Sequence, residues 1–167
     1  MSETDVAIVG AGAAGISAGR RLRALGKSIL LIDALPRLGG RAHTVTLQDM
    51  PLDMGAHWLH SGERNPLTAL ADSHGETVKR RFIAALGQDL PATLSTRVTA
   101  ISHGAGIALE TDRGVIRAKA AIVTASSAVL ASGAIRFSQS IDDHLHAAAH
   151  LPLGLADKVF LALADPD

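Results

Sequence analysis

The feature that most restricts what this chain can fold into is Gly10-Ala11-Gly12-Ala13-Ala14-Gly15, a G-x-G-x-x-G motif lying directly after the apolar run Val6, Ala7, Ile8, Val9. A short, continuously apolar run closed by glycine is the pattern of a parallel strand buried on both faces. From Ala13 to Leu25 the residues Ala14, Ala18, Leu22 and Leu25 recur at three- and four-residue spacing, with Arg20, Arg21 and Arg23 off that stripe. This predicts a helix stopped at Gly26. Ser28 to Ile32 supplies a second apolar run that ends at Asp33. Strand, helix and strand close within about 30 residues, the size of a βαβ unit, so a parallel sheet is expected.

In such a unit each glycine has its own role. Gly10 permits the tight turn, Gly12 lets backbone approach a pyrophosphate, and Gly15 lets the helix pack close to the sheet. The helix N-terminus adds free N–H groups and partial positive charge for that anion. Asp33 lies about 20 residues on, where a carboxylate accepts the ribose hydroxyls of an adenosine. The bland alternative is a glycine-rich turn with a coincidental acid, and the strand and helix standing in register weigh against it. The expected fold class is α/β, a Rossmann-type FAD/NAD(P)-binding fold with a parallel sheet and a β-meander.

Composition agrees with this class. With 167 residues the chain suits one ordinary domain, and 47% hydrophobic residues with only 2% aromatic fit helices packed closely on a sheet. Lys plus Arg (16) equals Asp plus Glu (16), so no net field draws the chain to nucleic acid or anionic lipid. The absence of cysteine excludes disulfides and thiolate metal sites, and fits a reducing cytoplasmic location. Glu3 and Asp5 precede the first apolar run where a signal peptide has Lys or Arg, so no export is expected. The run Ala120 to Ile135 is broken by Thr124, Ser126, Ser127, Ser132 and Gly133 and is too short to span a bilayer, so no membrane partner is expected.

Further along, the chain alternates through His43 to Leu47 before a loop at Gln48 to Pro51, and a helix is expected from Asn65-Pro66 to His74-Gly75. Strands Arg97 to Ser102, Ile107 to Thr111 and Val115 to Arg117, separated by turns, read as a β-meander. Ala121 to Thr124 reads as a separate return strand into the parallel sheet, Asp142 to His150 as a helix, and Val159 to Leu163 as a last strand.

Asp33 repels a ribose 2′-phosphate, which leaves FAD or NAD over NADP. Arg37-Leu38-Gly39-Gly40-Arg41 then offers two glycines that permit close backbone approach and an arginine able to fork onto a phosphate; taken alone it also reads as a surface loop with a solvated arginine.

The dinucleotide fingerprint, Arg37 to Arg41, and Asp53-Met54-Gly55-Ala56-His57-Trp58-Leu59-His60 together resemble the flavin-containing amine oxidase family, which includes monoamine, polyamine and L-amino-acid oxidases. The resemblance continues at Val98 and Ile101, through Ala121 to Ile135, and from Leu153-Gly154 to Leu161. It implies FAD as cofactor, a small-molecule amine as substrate, C–N oxidation by hydride transfer to the flavin, and oxygen or another electron acceptor as second partner. By position it implies that Gly10, Gly12, Ala14 and Gly15 hold the pyrophosphate and that Asp33 holds the ribose. Gly40 and Arg41 fall near phosphate, Gly55, Ala56, His57 and Trp58 along the flavin, and Val98 at the adenine. Lys158 matches the family lysine that holds a water near flavin N5; read without the resemblance it is a solvated lysine leading into a strand.

The chain departs from the family in several places. Asp33 stands where Glu is more usual, Leu35 replaces an often basic residue, and Ser126-Ser127 interrupts a stretch that often contains Pro. Only about 40 residues separate Trp58 from Val98, too few for the family's substrate-binding domain, and the junction near Arg80, Arg81 and Phe82 looks like the place of that deletion. Asp167 falls before the family's C-terminal flavin-binding segment, and no Tyr is present to wall an amine. Residues 1–167 are therefore expected to form one FAD-binding domain, with the βαβ unit and flavin-facing motif in 1–80 and the meander, return strand and start of the next region in 81–167, the substrate domain being largely missing. A non-catalytic FAD- or ADP-binding module is the second expectation. An apolar patch at Trp58, Leu59 and Phe160 predicts self-association. His146 and His150, four apart on a helix, have the spacing of metal ligands, and His57 and His60 with Asp53 could form another such group. A solvated helix face and the flavin-facing motif account for them better, so no metal is expected.

Overall fold

The computed structural model describes residues 3–56, 64–73, 82–154 and 158–161. The chain opens with β1 (Thr4–Val9), α1 (Ala13–Ala24) and β2 (Ile29–Ile32), and β1 pairs with β2 in parallel from Val6 opposite Ile29 to Val9 opposite Ile32. Gly26 takes the left-handed conformation that ends α1, with its N–H on the Arg23 carbonyl and that of Lys27 on Leu22. Arg21 and Arg23 in the last turn complement the helix dipole.

The face that α1 buries differs from the stripe expected. Gly15, Ile16 and Gly19 are buried, Ala18 and Leu22 pack partly against the same core, and Ala14 and Leu25 are exposed. A periodicity count weighs side chains, whereas this contact is made by their absence. A Cβ on Gly19 would stand 3.1 Å from Leu90 Cδ1 and 3.5 Å from Ile8 Cδ1.

Next come β3 (Thr44–Leu47) and β4 (Met50–Asp53), which form their own antiparallel hairpin. The loop expected at Gln48 to Pro51 is shorter than that: Met50 and Pro51 are in the strand, and the reversal is made by Gln48 and Asp49, both at positive φ (48° and 63°), the backbone of a tight two-residue turn. Then follow α2 (Pro66–Ser73), α3 (Phe82–Ala85), β5 (Ala92–Thr93), β6 (Val98–His103), β7 (Ile107–Thr111), β8 (Gly114–Val123), α4 (Ser127–Ala131), β9 (Arg136–Phe137) and α5 (Asp142–Ala149). The main sheet has the order β5-β2-β1-β8-β7-β6-β9.

The third meander strand and the return strand, expected as two elements, are one. Strand β8 runs antiparallel to β7 and parallel to β1, and Ala118 sits opposite both Ile107 and Thr4. Nothing between Arg117 and Ala121 breaks a strand: Ala118, Lys119 and Ala120 carry no turn chemistry, and Ala118 is fully buried. Of the last expected strand, Val159 to Leu163, residues 159–161 have no regular structure, and residues 162–163 lie outside the described ones.

Two apolar clusters share the sheet. The first joins Ile8, Ala11, Ile16, Ile29, Leu31, Ala71, Leu86 and Leu90; the second joins Ala7, Val9, Ile32, Val98, Ile101, Leu109, Ala118 and Ile135. Strand β1 contributes Ile8 to one and Ala7 and Val9 to the other, so it is covered on both faces, as its unbroken apolar run requires. Each large aliphatic side chain buried this way contributes about 1.5–3 kcal/mol. Leu86 and Leu90 come soon after the expected junction at residues 80–82, so the chain re-enters the core at once. Arg20 and Arg23 of α1 donate to the carbonyls of Leu86 and Asp89, and Gly87 lies so close to Ile16 that a Cβ there would stand 2.9 Å from its Cδ1.

Candidate dinucleotide site

The site lies where β1 and β2 end. Gly10 has φ +109°, and a Cβ on it would fall 2.5 Å from Thr124 Oγ1, so both backbone and space require glycine. A Cβ on Gly15 would fall 1.9 Å from the Gly10 carbonyl oxygen, which makes Gly15 the point of closest approach between helix and turn. Gly12 differs. As N-cap of α1 it has ordinary extended φ/ψ, and a Cβ there would find only the Gly40 Cα, at 3.9 Å. The room in front of Gly12 is thus not needed by the fold.

The loop after β2 runs along the opposite side of that room. Gly39 donates to the Ala11 carbonyl (2.9 Å) and bridges Gly12, while Gly39 and Gly40 both have positive φ. Arg37 donates to the Gly40 carbonyl (2.8 Å), bracing the loop with its guanidinium, and Arg41 is exposed. Ala13 and Ala14, in the first turn of α1, carry N–H groups that helix geometry leaves without intrahelical acceptors. The result is a cradle walled by backbone, with helix amides at its end.

Asp33 is held more firmly than its sequence position suggested. Its Oδ2 accepts from the Ala11 amide (2.7 Å) and its Oδ1 from the Leu35 amide (2.8 Å). A carboxylate has about four acceptor sites, so capacity for ribose hydroxyls remains. Residues 93–96 strap the same corner: Asp33 donates its N–H to the Thr93 carbonyl, Ser95 to the Leu35 carbonyl and Thr96 to the Asp33 carbonyl. Val98 follows this strap into β6, and with only 5% exposure its side chain belongs to the second core cluster.

The flavin-facing motif is partly described. Gly55 packs on Arg41 so tightly that a Cβ would fall 1.7 Å from the Arg41 carbonyl oxygen, which also accepts from the Ala56 amide (3.0 Å). Lys158 Nζ donates to the carbonyls of Asp53 (3.1 Å) and Gly55 (2.6 Å). Asp53 itself is buried and accepts from the Thr44 hydroxyl. His57, Trp58, Leu59 and His60 lie outside the described residues. Gly12 and Gly40 thus face each other across the room, Asp33 reaches it through Ala11, Gly10 and Gly15 pack on one another at the turn behind it, and Ala14 and Arg41 are exposed; Gly55 and Ala56 meet Arg41, and Lys158 meets Gly55. Among the described residues no group of three or more His, Cys, Asp or Glu could hold a metal, and His150 Nδ1 instead meets the His146 carbonyl. Sequence reasoning missed Thr124 and the strap at 93–96. A hydroxyl ending an otherwise apolar strand was the available signal for the first; the strap is made by backbone atoms and left none.

Comparison with known proteins agrees with this fold. Residues 8–73 match the model of an NAD(P)-binding Rossmann-like domain, and residues 76–166 that of flavin containing amine oxidoreductase. A putrescine oxidase of Kocuria rosea is 40% identical over 80 residues, which are 48% of this chain and 16% of that protein. A probable polyamine oxidase 4 of Arabidopsis thaliana is 34% identical over 79 residues, 47% of this chain and 16% of that protein. A solved wild-type putrescine oxidase bound to putrescine superposes with a TM-score of 0.64 at 14% identity, covering 81% of this chain and 60% of that one, which speaks for the fold alone. Since the second of the two family models covers more than half of its residues, the chain belongs to the flavin containing amine oxidoreductase family.

Proposed function

We propose that this chain binds FAD in the cradle of Gly12 and Gly40 and serves the oxidation of a small amine. The observation that carries the reading is the open room at Gly12, the one fingerprint glycine whose missing side chain the fold does not use. A pyrophosphate there meets the free amides of α1, and the Asp33 carboxylate stands at the end of β2 for the adenosine ribose. Bound flavin supplies a hydride acceptor for the C–N oxidation. The chain's own part is to orient and hold. Lys158 uses two of its three N–H donors to fix the carbonyls of Asp53 and Gly55, and in this reading the third holds a water.

A second reading, a nucleotide-binding module without turnover, is favoured by one feature. Among the described residues, the segment between β4 and β5 buries Ala71, Leu86 and Leu90 in the cluster that covers the sheet. One experiment separates the two: FAD-loaded protein mixed anaerobically with primary, secondary and polyamine substrates in a stopped-flow instrument. Amine-dependent bleaching of the flavin band, lost in Lys158→Met, establishes the oxidase; a flavin band that no amine bleaches leaves the module. Oxygen or another electron acceptor belongs to the first reading only. Val159 (79% exposed), Leu161 (83%) and Phe160 support self-association, which sedimentation across a concentration series measures. The lack of cysteine supports a cytoplasmic location. Among the described residues no helix is long and apolar enough to cross a membrane.

A further inference from the structure

We infer that Thr124 is a positioning residue of the dinucleotide site, gripping one peptide plane together with Asp33; the inference rests on the dinucleotide reading above. Thr124 follows β8, and its amide donates to the Val9 carbonyl (2.8 Å). Its hydroxyl lies 3.0 Å from the Val9 carbonyl oxygen and 3.1 Å from that of Gly10. One hydroxyl proton is shared between these two acceptors. The Gly10 oxygen thus sits in the space that the missing Gly15 side chain leaves open, and the Thr124 hydroxyl fills the space of the missing Gly10 side chain.

The other end of the same peptide is held as well. In a trans peptide the C=O and N–H point in opposite directions, and no cis peptide occurs among the described residues. With its carbonyl toward Thr124, the Gly10–Ala11 peptide directs its N–H at Asp33 Oδ2, 2.7 Å away. Hydroxyl, carbonyl, amide and carboxylate form a chain in which each hydrogen bond polarises the next. This grip matters because glycine at position 10 leaves the plane otherwise free to turn. Its orientation sets the path from Ala11 to Gly12, and so the place of the cradle and of the α1 amides. Asp33 therefore acts on the site twice, directly toward ribose and through Ala11.

The test combines ADP and FAD titration by calorimetry with amide hydrogen exchange of Ala11 in the unliganded protein. Thr124→Val removes the hydroxyl at nearly constant volume. It is expected to weaken ADP and FAD binding about three- to tenfold and to speed Ala11 exchange by a similar factor. Thr124→Ser is expected to restore both, which a packing role would not predict. Combined with Asp33→Asn, Thr124→Val is expected to cost less than the product of the two single effects. Should Thr124→Val fail to fold, Thr124→Ala carries the same expectation. Wild-type affinity and exchange in Thr124→Val, or a Thr124→Ser protein as impaired as Thr124→Val, would overturn the inference. Wild-type protein that binds neither ADP nor FAD would overturn the dinucleotide reading and the site role with it, and Ala11 exchange would still decide whether Thr124 holds the peptide.

Discussion

The two ends of the central strands each carry an aspartate, and they use it differently. At the carboxyl end Asp33 accepts from two backbone amides, those of Ala11 and Leu35, which belong to loops around an open room. At the amino end Asp5 of β1 is hydrogen-bonded to Ser28, just before β2, and to Lys119 of β8. Its Oδ2 accepts from the Ser28 amide (2.9 Å) and hydroxyl (2.7 Å), its Oδ1 from Lys119 Nζ (2.7 Å), and its own amide donates back to the Ser28 hydroxyl (2.8 Å). One carboxylate shapes loops for a ligand; the other ties β1 and β8 to the residue preceding β2. Similar chemistry therefore serves binding at one end and cohesion at the other.

The comparison breaks most sharply on the glycines. Gly15→Val puts a side chain into the Gly10 carbonyl and is expected to cost about 3 kcal/mol or more, read by urea denaturation. Gly12→Val is expected to abolish FAD binding while costing the fold only about 1 kcal/mol. A Gly12→Val protein with unchanged FAD affinity would remove the cradle from the site.

Asp33→Ala comes next. Loss of charge-assisted hydrogen bonds is expected to weaken FAD binding about ten- to a hundredfold, or roughly 1.5–3 kcal/mol, in a fluorescence titration. Unchanged affinity would place Asp33 among purely structural groups, alongside Asp5.

The smallest effect is expected at Asp5. The Lys119 ammonium, then the Ser28 hydroxyl and amide, hold the Asp5 carboxyl well below the usual carboxylate range, and Asp5 in turn raises Lys119. A depressed folded-state pKa contributes stability that is complete above the ordinary aspartate value of about 3.9 and is lost as pH falls below it. Asp5→Asn is accordingly expected to lower the melting temperature slightly at neutral pH, to flatten the acid limb of the stability curve, and to leave ADP affinity unchanged. Because the group is at the surface, salt should shrink the difference. A changed ADP affinity would show that the two ends are coupled.

The sequence made the cradle legible because its parts are local: strand, glycines, helix and acid stand within Val6 to Asp33, and each has its own steric or electrostatic reason. Less was legible where contacts are made by backbone or by missing side chains. The buried face of α1 centres on Gly15 and Gly19, which a hydrophobic stripe does not count. Strands β5 and β9 have two residues each and show no periodicity; their neighbours define them. The continuity of β8 was hidden by Arg117 and Lys119, exposed residues that interrupt an apolar pattern without interrupting a strand.

That continuity has a consequence for how the chain acquires its structure. Strand β1 gains β2 after a short helix, but its other neighbour is the strand that also closes the meander, and Thr4 must wait for Ala118. Pairings so distant in sequence are slow to form, because much of the chain must be ordered before they are rewarded. During synthesis at about 5–20 residues per second, one edge of β1 stays open for several seconds, with Ala7 and Val9 uncovered beside it. Pulse-labelled hydrogen exchange is expected to protect β2 amides well before those of β8; simultaneous protection would argue against this order. An unpaired apolar edge is a template for a second chain, so the span most exposed to misassembly is one that later becomes a strand paired on both edges and covered on both faces.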